Sequence, residues 1–182
     1  HHCTRTSFTS HYLLVALLAG FVVLGPPAHG QVVNEDLKLL ASDGAVGDRF
    51  GHSVAIDNGL LVVGAPYAND NGLDSGAAYL FQASTGVELS KLTPTDGQAG
   101  DEFGLSVAIA DGIVAVGSPG NDDNGTDSGA AYLFDASTGA QIAKLLPDDG
   151  AEGDIFGNAI TIDDGIVAVG AMYEDGFAEN GG

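Results

Sequence analysis

Asp48-Arg49-Phe50-Gly51 is followed, 14 residues after Phe50, by Gly64-Ala65-Pro66. The unit returns as Asp101-Glu102-Phe103-Gly104 with Gly117-Ser118-Pro119, and again as Asp154-Ile155-Phe156-Gly157 with Gly170-Ala171-Met172. The step is 53 residues both times, and 31 of 53 positions are identical between the first two copies without a gap, which makes them one repeated unit. A fixed period of this size marks an array in which each unit buries an apolar face on its neighbour.

Each full copy holds four short strand segments and no helical periodicity. In the first copy they are expected near residues 53–57, 60–64, 76–82 and 87–92. Asp57-Asn58-Gly59, Ala110-Asp111-Gly112 and Asp163-Asp164-Gly165 have the chemistry of tight hairpin turns, with Gly supplying a positive φ. Ser84-Thr85-Gly86 and Ser137-Thr138-Gly139 fit slightly longer hairpin loops. A long Asn/Asp/Gly-rich loop, residues 65–75, joins the second strand to the third.

The second strand is apolar without alternation: Leu60-Leu61-Val62-Val63, then Ile113-Val114-Ala115-Val116, then Ile166-Val167-Ala168-Val169. An antiparallel strand with one wet face alternates, so both faces of this one should be covered. Four-stranded antiparallel sheets stacked face to face around an axis meet that requirement, which makes the chain all-β and its units β-propeller blades. A flat sandwich does not account for the constant step. The expected division is a lead-in at 31–37 and repeats at 38–90, 91–143 and 144–182. The third stops at Gly182, the equivalent of Gly129 and Gly76, before the Ala-Ala-Tyr-Leu-Phe strand, so the ring is expected to be incomplete. Phe50, Phe103 and Phe156 are placed to wedge between blades, the following Gly allowing close backbone approach. Pro66 and Pro119 are placed to end the second strand, and Tyr79 and Tyr132 to pack between blades rather than hold a ligand.

Residues 1–30 differ in kind. Arg5 and a polar run lead into the apolar stretch 12–24, then Gly25-Pro26-Pro27 and Ala28-His29-Gly30. This is the layout of a secretory signal peptide, with cleavage expected after Gly30. The apolar run falls short of the ~20 residues that span a bilayer, so no membrane insertion of the mature chain is expected. The only cysteine, Cys3, lies in this leader. The expected location is therefore secreted or cell-surface. With 25 Asp+Glu against 5 Lys+Arg and a formal charge of -20, nucleic acid and anionic membranes are disfavoured as partners. Cations or a basic partner surface suit the chain better.

Phe-Gly followed by Gly-Ala-Pro at this spacing resembles the FG-GAP repeat, the blade unit of the integrin α-subunit propeller, over residues 38–182. The segments 100–108 and 116–125 look closest to a bacterial secreted subgroup of these repeats. The resemblance implies an extracellular propeller used for adhesion or partner binding. It also brings a departure. Calcium-binding integrin blades carry an Asp-x-Asp-x-Asp-Gly-x-x-Asp loop between Phe-Gly and Gly-Ala-Pro, where this chain has only the short turn Asp57-Asn58-Gly59 and its equivalents. Calcium takes 6–8 oxygen ligands, so that site does not carry over.

The acidic clusters lie after Gly-Ala-Pro instead. Asp70, Asn71 and Asp74, with Asp122, Asp123, Asn124 and Asp127, offer oxygen ligands around a central Gly and are candidate Ca²⁺ ligands. The competing reading is a solvated Asx-Gly turn. Asp43, Asp48, Asp96, Asp101, Asp149 and Asp154 flank the inter-blade loop and are expected to bond local backbone amides. The mature chain has one histidine, His52, replaced by Leu105 and Asn158 in the other copies, so there is no Cys/His pair and no zinc set. An enzyme is not expected. The expected function is a binding or adhesion module that engages an extracellular protein or glycan through its inter-strand loops, which vary at Tyr67, Gly120 and Tyr173. The alternatives are an accessory propeller of a larger secreted hydrolase and a structural propeller stiffened by Ca²⁺.

Overall fold

The repeat folds as an antiparallel meander. In the computed structural model of the chain, residues 37–173 are described, together with the backbone of two paired strands, β1 (Leu13–Leu17) and β2 (Gly20–Leu24). The remainder of the expected signal peptide, and the segment from Glu174 that stands in for the acidic loop of the third repeat, lie outside the described residues. The first sheet is β3 (Val54–Asp57), β4 (Leu60–Ala65), β5 (Ala77–Gln82) and β6 (Val87–Leu92), in that spatial order. The second is β7 (Ser106–Ala110), β8 (Ile113–Ser118), β9 (Ala130–Asp135) and β10 (Gln141–Leu145). β11 (Phe156–Asp163) and β12 (Ile166–Ala171) pair as the first half of a third blade, so the described residues do not close a ring. Among the described residues no helix is long and apolar enough to cross a membrane.

Turn chemistry sets the register. Asn58 and Gly59 sit at φ 44° and 79°, Asp111 and Gly112 at 51° and 78°, and Asp164 and Gly165 at 46° and 74°. Two successive left-handed residues make a type I′ turn, whose twist matches the strands it joins. Strand β12 ends at Ala171 although Met172 replaces the proline of the other copies. The strand end therefore does not depend on Pro.

The sheets stack through opposite faces of the same strands. Leu61, Val63, Tyr79 and Phe81 face one way, with Leu39 and Phe50. Val62, Leu80 and Leu92 face the other way and meet Phe103, Val107, Val114, Val116, Tyr132 and Phe134 of the second sheet. β4 and β8 are buried along their length for this reason, whereas β12 alternates exposed and half-buried positions. Phe103 is fully buried and meets Tyr132 and Phe134 edge-on at 5.6 and 5.7 Å. Phe50 does the same to Tyr79 and Phe81 at 5.5 and 5.9 Å. Each Phe thus caps the third strand of its own blade beside a tyrosine, Phe103 on the face turned toward the first blade and Phe50 on the face covered by Leu39.

Candidate functional site

A four-stranded meander puts its connections at alternate ends. The short turns lie at one end, where Gln82 Nε2 and the Ala83 amide both donate to Gly59 O. The other end carries the 2–3 loops, residues 66–76 and 119–129, and the 4–1 loops, residues 93–105 and 146–155. All the acidic candidates lie at this loop end.

The loop end is joined across blades by backbone. The amides of Gly100, Glu102 and Phe103 donate to Leu73 O, Asp74 O and Ser75 O of the preceding blade at 2.8, 3.0 and 3.1 Å. Gly153, Ile155 and Phe156 repeat the pattern on Thr126, Asp127 and Ser128. Arg49, Glu102 and Ile155 sit at φ 55°, 52° and 57°, a region that non-glycine residues seldom adopt. The conformation recurs in three copies with three side chains, at Arg49 with no preceding blade among the described residues, so the local turn sets it, closed each time by the amide three residues on. Gly76 and Gly129 form isolated parallel bridges to Phe103 and Phe156. A Cβ on Gly64 would stand 2.0 Å from Gly104 O, and one on Gly117 1.9 Å from Gly157 O. Ser53 and Ser106 hydroxyls donate to the same two carbonyls at 2.8 and 2.7 Å.

The acidic residues then divide by role. Asp48, Asp101 and Asp154 are buried, and each accepts the amide three residues earlier, from Ala45, Gln98 and Ala151, at 2.7, 2.8 and 2.6 Å. That matches the backbone role expected of them. Asp43 and Asp96 depart from it. Lys91 Nζ lies 2.6 Å from Asp43 and 2.5 Å from Asp70, and Lys144 Nζ lies 2.7 Å from Asp96 and 2.6 Å from Asp123. Each ammonium also sits 5.2 Å from a tyrosine ring, Tyr79 or Tyr132. Burial pulls both lysines toward neutrality, but the bonds to the two carboxylates, with the tyrosine beside each ammonium, outweigh it and hold them above the ordinary lysine range.

The structure does not bring the seven candidate calcium ligands together. Asp70 and Asp123 are bound to lysines. Asn71 and Asn124 turn their Nδ2 groups to Pro94 O and Pro147 O. Asp122 Oδ1 accepts the Asp127 amide at 2.9 Å, as Asn69 Oδ1 accepts that of Asp74 at 2.8 Å. Asp74 and Asp127 are left-handed turn residues at φ 54° and 53°. Among the described residues no group of three His, Cys, Asp or Glu side chains could hold a metal. These loops are Asx-closed turns with their tips clasped by an internal cation.

Between the second and third blades lies a cleft of about 450 Å³, lined by Glu102, Pro119, Gly120 and Asp127 on one side and Ile155 and Tyr173 on the other. One repeat earlier, Arg49 stands where Glu102 does and Tyr67 where Gly120 does. There the Arg49 guanidinium lies 4.2 Å from the Tyr67 ring centroid and Nη1 donates to Tyr67 Oη at 3.3 Å. Burial raises the pKa of Glu102, and the carboxylates of Asp74 and Asp127 raise it further against the pull of Arg49 and His52.

The FG-GAP repeat profile matches residues 33–81, 87–134 and 140–182. The chain belongs to the FG-GAP repeat family. No curated protein matches it. The second match begins at Val87 and ends at Phe134, so the family unit takes the outer strand of one blade and the first three strands of the next. A boundary between Ser90 and Lys91 falls inside β6. That offset matches how an FG-GAP unit works here. Phe-Gly of one blade docks backbone to backbone on Gly-Ala-Pro of the blade before, so the motif records a seam between blades. Glycine is needed on both sides because the carbonyls lie where a Cβ would be.

Proposed function

We propose that this FG-GAP chain is a binding module, secreted or displayed at the cell surface behind its leader, that engages a protein partner by its loop end without turnover. The observation that carries this reading is the cleft between the second and third blades. The framework around it repeats, while the residues that fill the equivalent position one repeat earlier have been exchanged. Arg49 becomes Glu102 and Tyr67 becomes Gly120, which among the described residues opens the space and reverses its charge. The earlier copy also displays what fits such a space: a guanidinium lying on a phenol ring beside Glu102. A basic side chain from a partner would find Glu102, Asp127 and the exposed Tyr173 there. The net charge of -20 favours encounter with such a surface.

The test is titration of the chain with an Arg/Lys-bearing peptide, its acidic counterpart and a neutral oligosaccharide, at two salt concentrations. The basic peptide should bind more tightly at low salt. Glu102→Gln together with Asp127→Asn should weaken that binding by about tenfold or more, the scale of losing charge-assisted bonds. Equal binding of the oligosaccharide, or hydrolysis of it, would refute the reading.

A further inference from the structure

Counting cations points to a second device. Between residues 38 and 182 the chain has four, Lys38, Arg49, Lys91 and Lys144, and the three lysines fall at one repeat position, 53 residues apart. In a chain this acidic, a lysine kept at one place in each copy implies a local task.

The geometry of that task is the same in both described copies. The ammonium leaves the outer strand, from β6 in one blade and close to the end of β10 in the other. It meets a carboxylate of the 4–1 loop (Asp43 or Asp96), a carboxylate at the tip of the 2–3 loop (Asp70 or Asp123), and the face of a tyrosine on the third strand. In the first copy Tyr79 Oη also donates to Asp43 at 2.9 Å. Two carboxylates and a phenol ring converging from three elements form a shell around a cation, and the cation is the chain's own. The Lys side chains retain 22% and 16% exposure, so these pairs are less screened than an ordinary surface salt bridge. The clasp also reaches the next blade. Asn71, beside Asp70, donates to Pro94 O in the 4–1 loop that carries Asp96, and Asn124, beside Asp123, donates to Pro147 O. The 4–1 loop at 93–105 is therefore held from both sides, by Asn71 from behind and by Lys144 of its own blade.

We propose that Lys91 and Lys144 are loop latches, internal ammonium ions that occupy the place of an external cation and keep the 2–3 loops closed, so that the loop end is ordered without calcium. This stands independently of what the cleft binds. It assigns positions 91 and 144 a role in placing loop residues such as Asp74 and Asp127 rather than in contacting a partner.

Amide hydrogen exchange on the whole chain tests it, because the two loops report separately. Lys144→Met keeps the aliphatic stem and removes the charge. Exchange at Asn124, Asp127, Ser128 and Gly129 should then rise by about tenfold, roughly what one or two charge-assisted hydrogen bonds hold. The loop at 68–76, still latched by Lys91, should keep its protection, and Lys91→Met should give the mirror result. Lys144→Arg, which retains the charge, should stay close to wild type. Wild-type protection in both loops should be the same in millimolar calcium and in chelator. Unchanged exchange in Lys144→Met overturns the proposal, and so does wild-type protection that needs calcium. If Lys144→Met unfolds the chain as a whole, Asp123→Asn takes its place, since it leaves the Lys144–Asp96 pair intact. Wild-type protection of 121–129 in that variant overturns the latch equally.

Discussion

Gly117→Ala and Gly170→Ala make the same change at the same repeat position with opposite expected results. Neither glycine has a left-handed φ, so alanine suits both backbones. At Gly170 a new Cβ would find Ala159 Cβ at 3.6 Å and Ala159 O at 3.8 Å, which is ordinary contact. The gain there is reduced freedom of the unfolded chain, about 0.4–1 kcal/mol of stabilisation. At Gly117 the Cβ would lie 1.9 Å from Gly157 O, and a real Cβ does not approach within 3.0 Å, so the third blade's backbone must retreat. That retreat pulls on the Ser106–Gly157 bond of 2.7 Å and on the Ile155–Asp127 and Phe156–Ser128 bonds, both 3.0 Å. With overpacking at about 1–3 kcal/mol and each strained hydrogen bond at about 0.5–1.5 kcal/mol, Gly117→Ala should cost about 3–5 kcal/mol. Urea melts followed by circular dichroism give the difference between the variants, and exchange at the Ile155 and Phe156 amides shows whether the loss is at the seam. If Gly117→Ala lies within 1 kcal/mol of Gly170→Ala, the seam reading of the motif is wrong.

Phe103→Ala removes a fully buried ring that touches two other rings, and should cost about 3–5 kcal/mol in thermal or urea unfolding. Phe156→Ala, at a half-buried position, should cost about 1–2 kcal/mol; equal losses would contradict the role of the blade stack. Acid should loosen the lysine clasps. The bond to Lys91 holds the pKa of Asp43 below the usual range, and for Asp96 the opposing effect of burial is overcome by Lys144. Folded, these carboxylates release protons more readily than unfolded ones, so their stabilisation is present above about pH 3.9 and drains as pH falls through their folded values. Asp101 and Glu102, raised by burial, act in the opposite sense and favour the fold only when protonated. Glu102→Gln should therefore raise the melting temperature at pH 7 and do so less at pH 4, which calorimetry across that range checks.

What the sequence showed and what it hid separate along a physical line. Strands and turns are local: Asn58-Gly59 and Asp111-Gly112 dictate type I′ turns, and the expected strand at 53–57 is found at Val54–Asp57. The blade stack was legible because β4 and β8 are apolar on both faces. The glycine after each Phe was readable as a close approach between blades, but the Gly-Ala-Pro glycine read only as part of a strand end, since the carbonyl it meets is placed by the register between sheets. The acidic loops turn on a related point. Asp70 and Asp123 look like metal ligands when only carboxylates near one another in sequence are considered, whereas their partners Lys91 and Lys144 lie 21 residues away. A signal was available in the 53-residue spacing of Lys38, Lys91 and Lys144. Charge scarcity gives that signal its weight: where 25 acids face 5 bases, the position at which a repeat keeps its base shows where folding needs one. The cleft was legible only as variation, through Tyr67, Gly120 and Tyr173. That it is open among the described residues goes with Arg49 and Tyr67 being exchanged together, a coupling visible only once both are seen to fill one space.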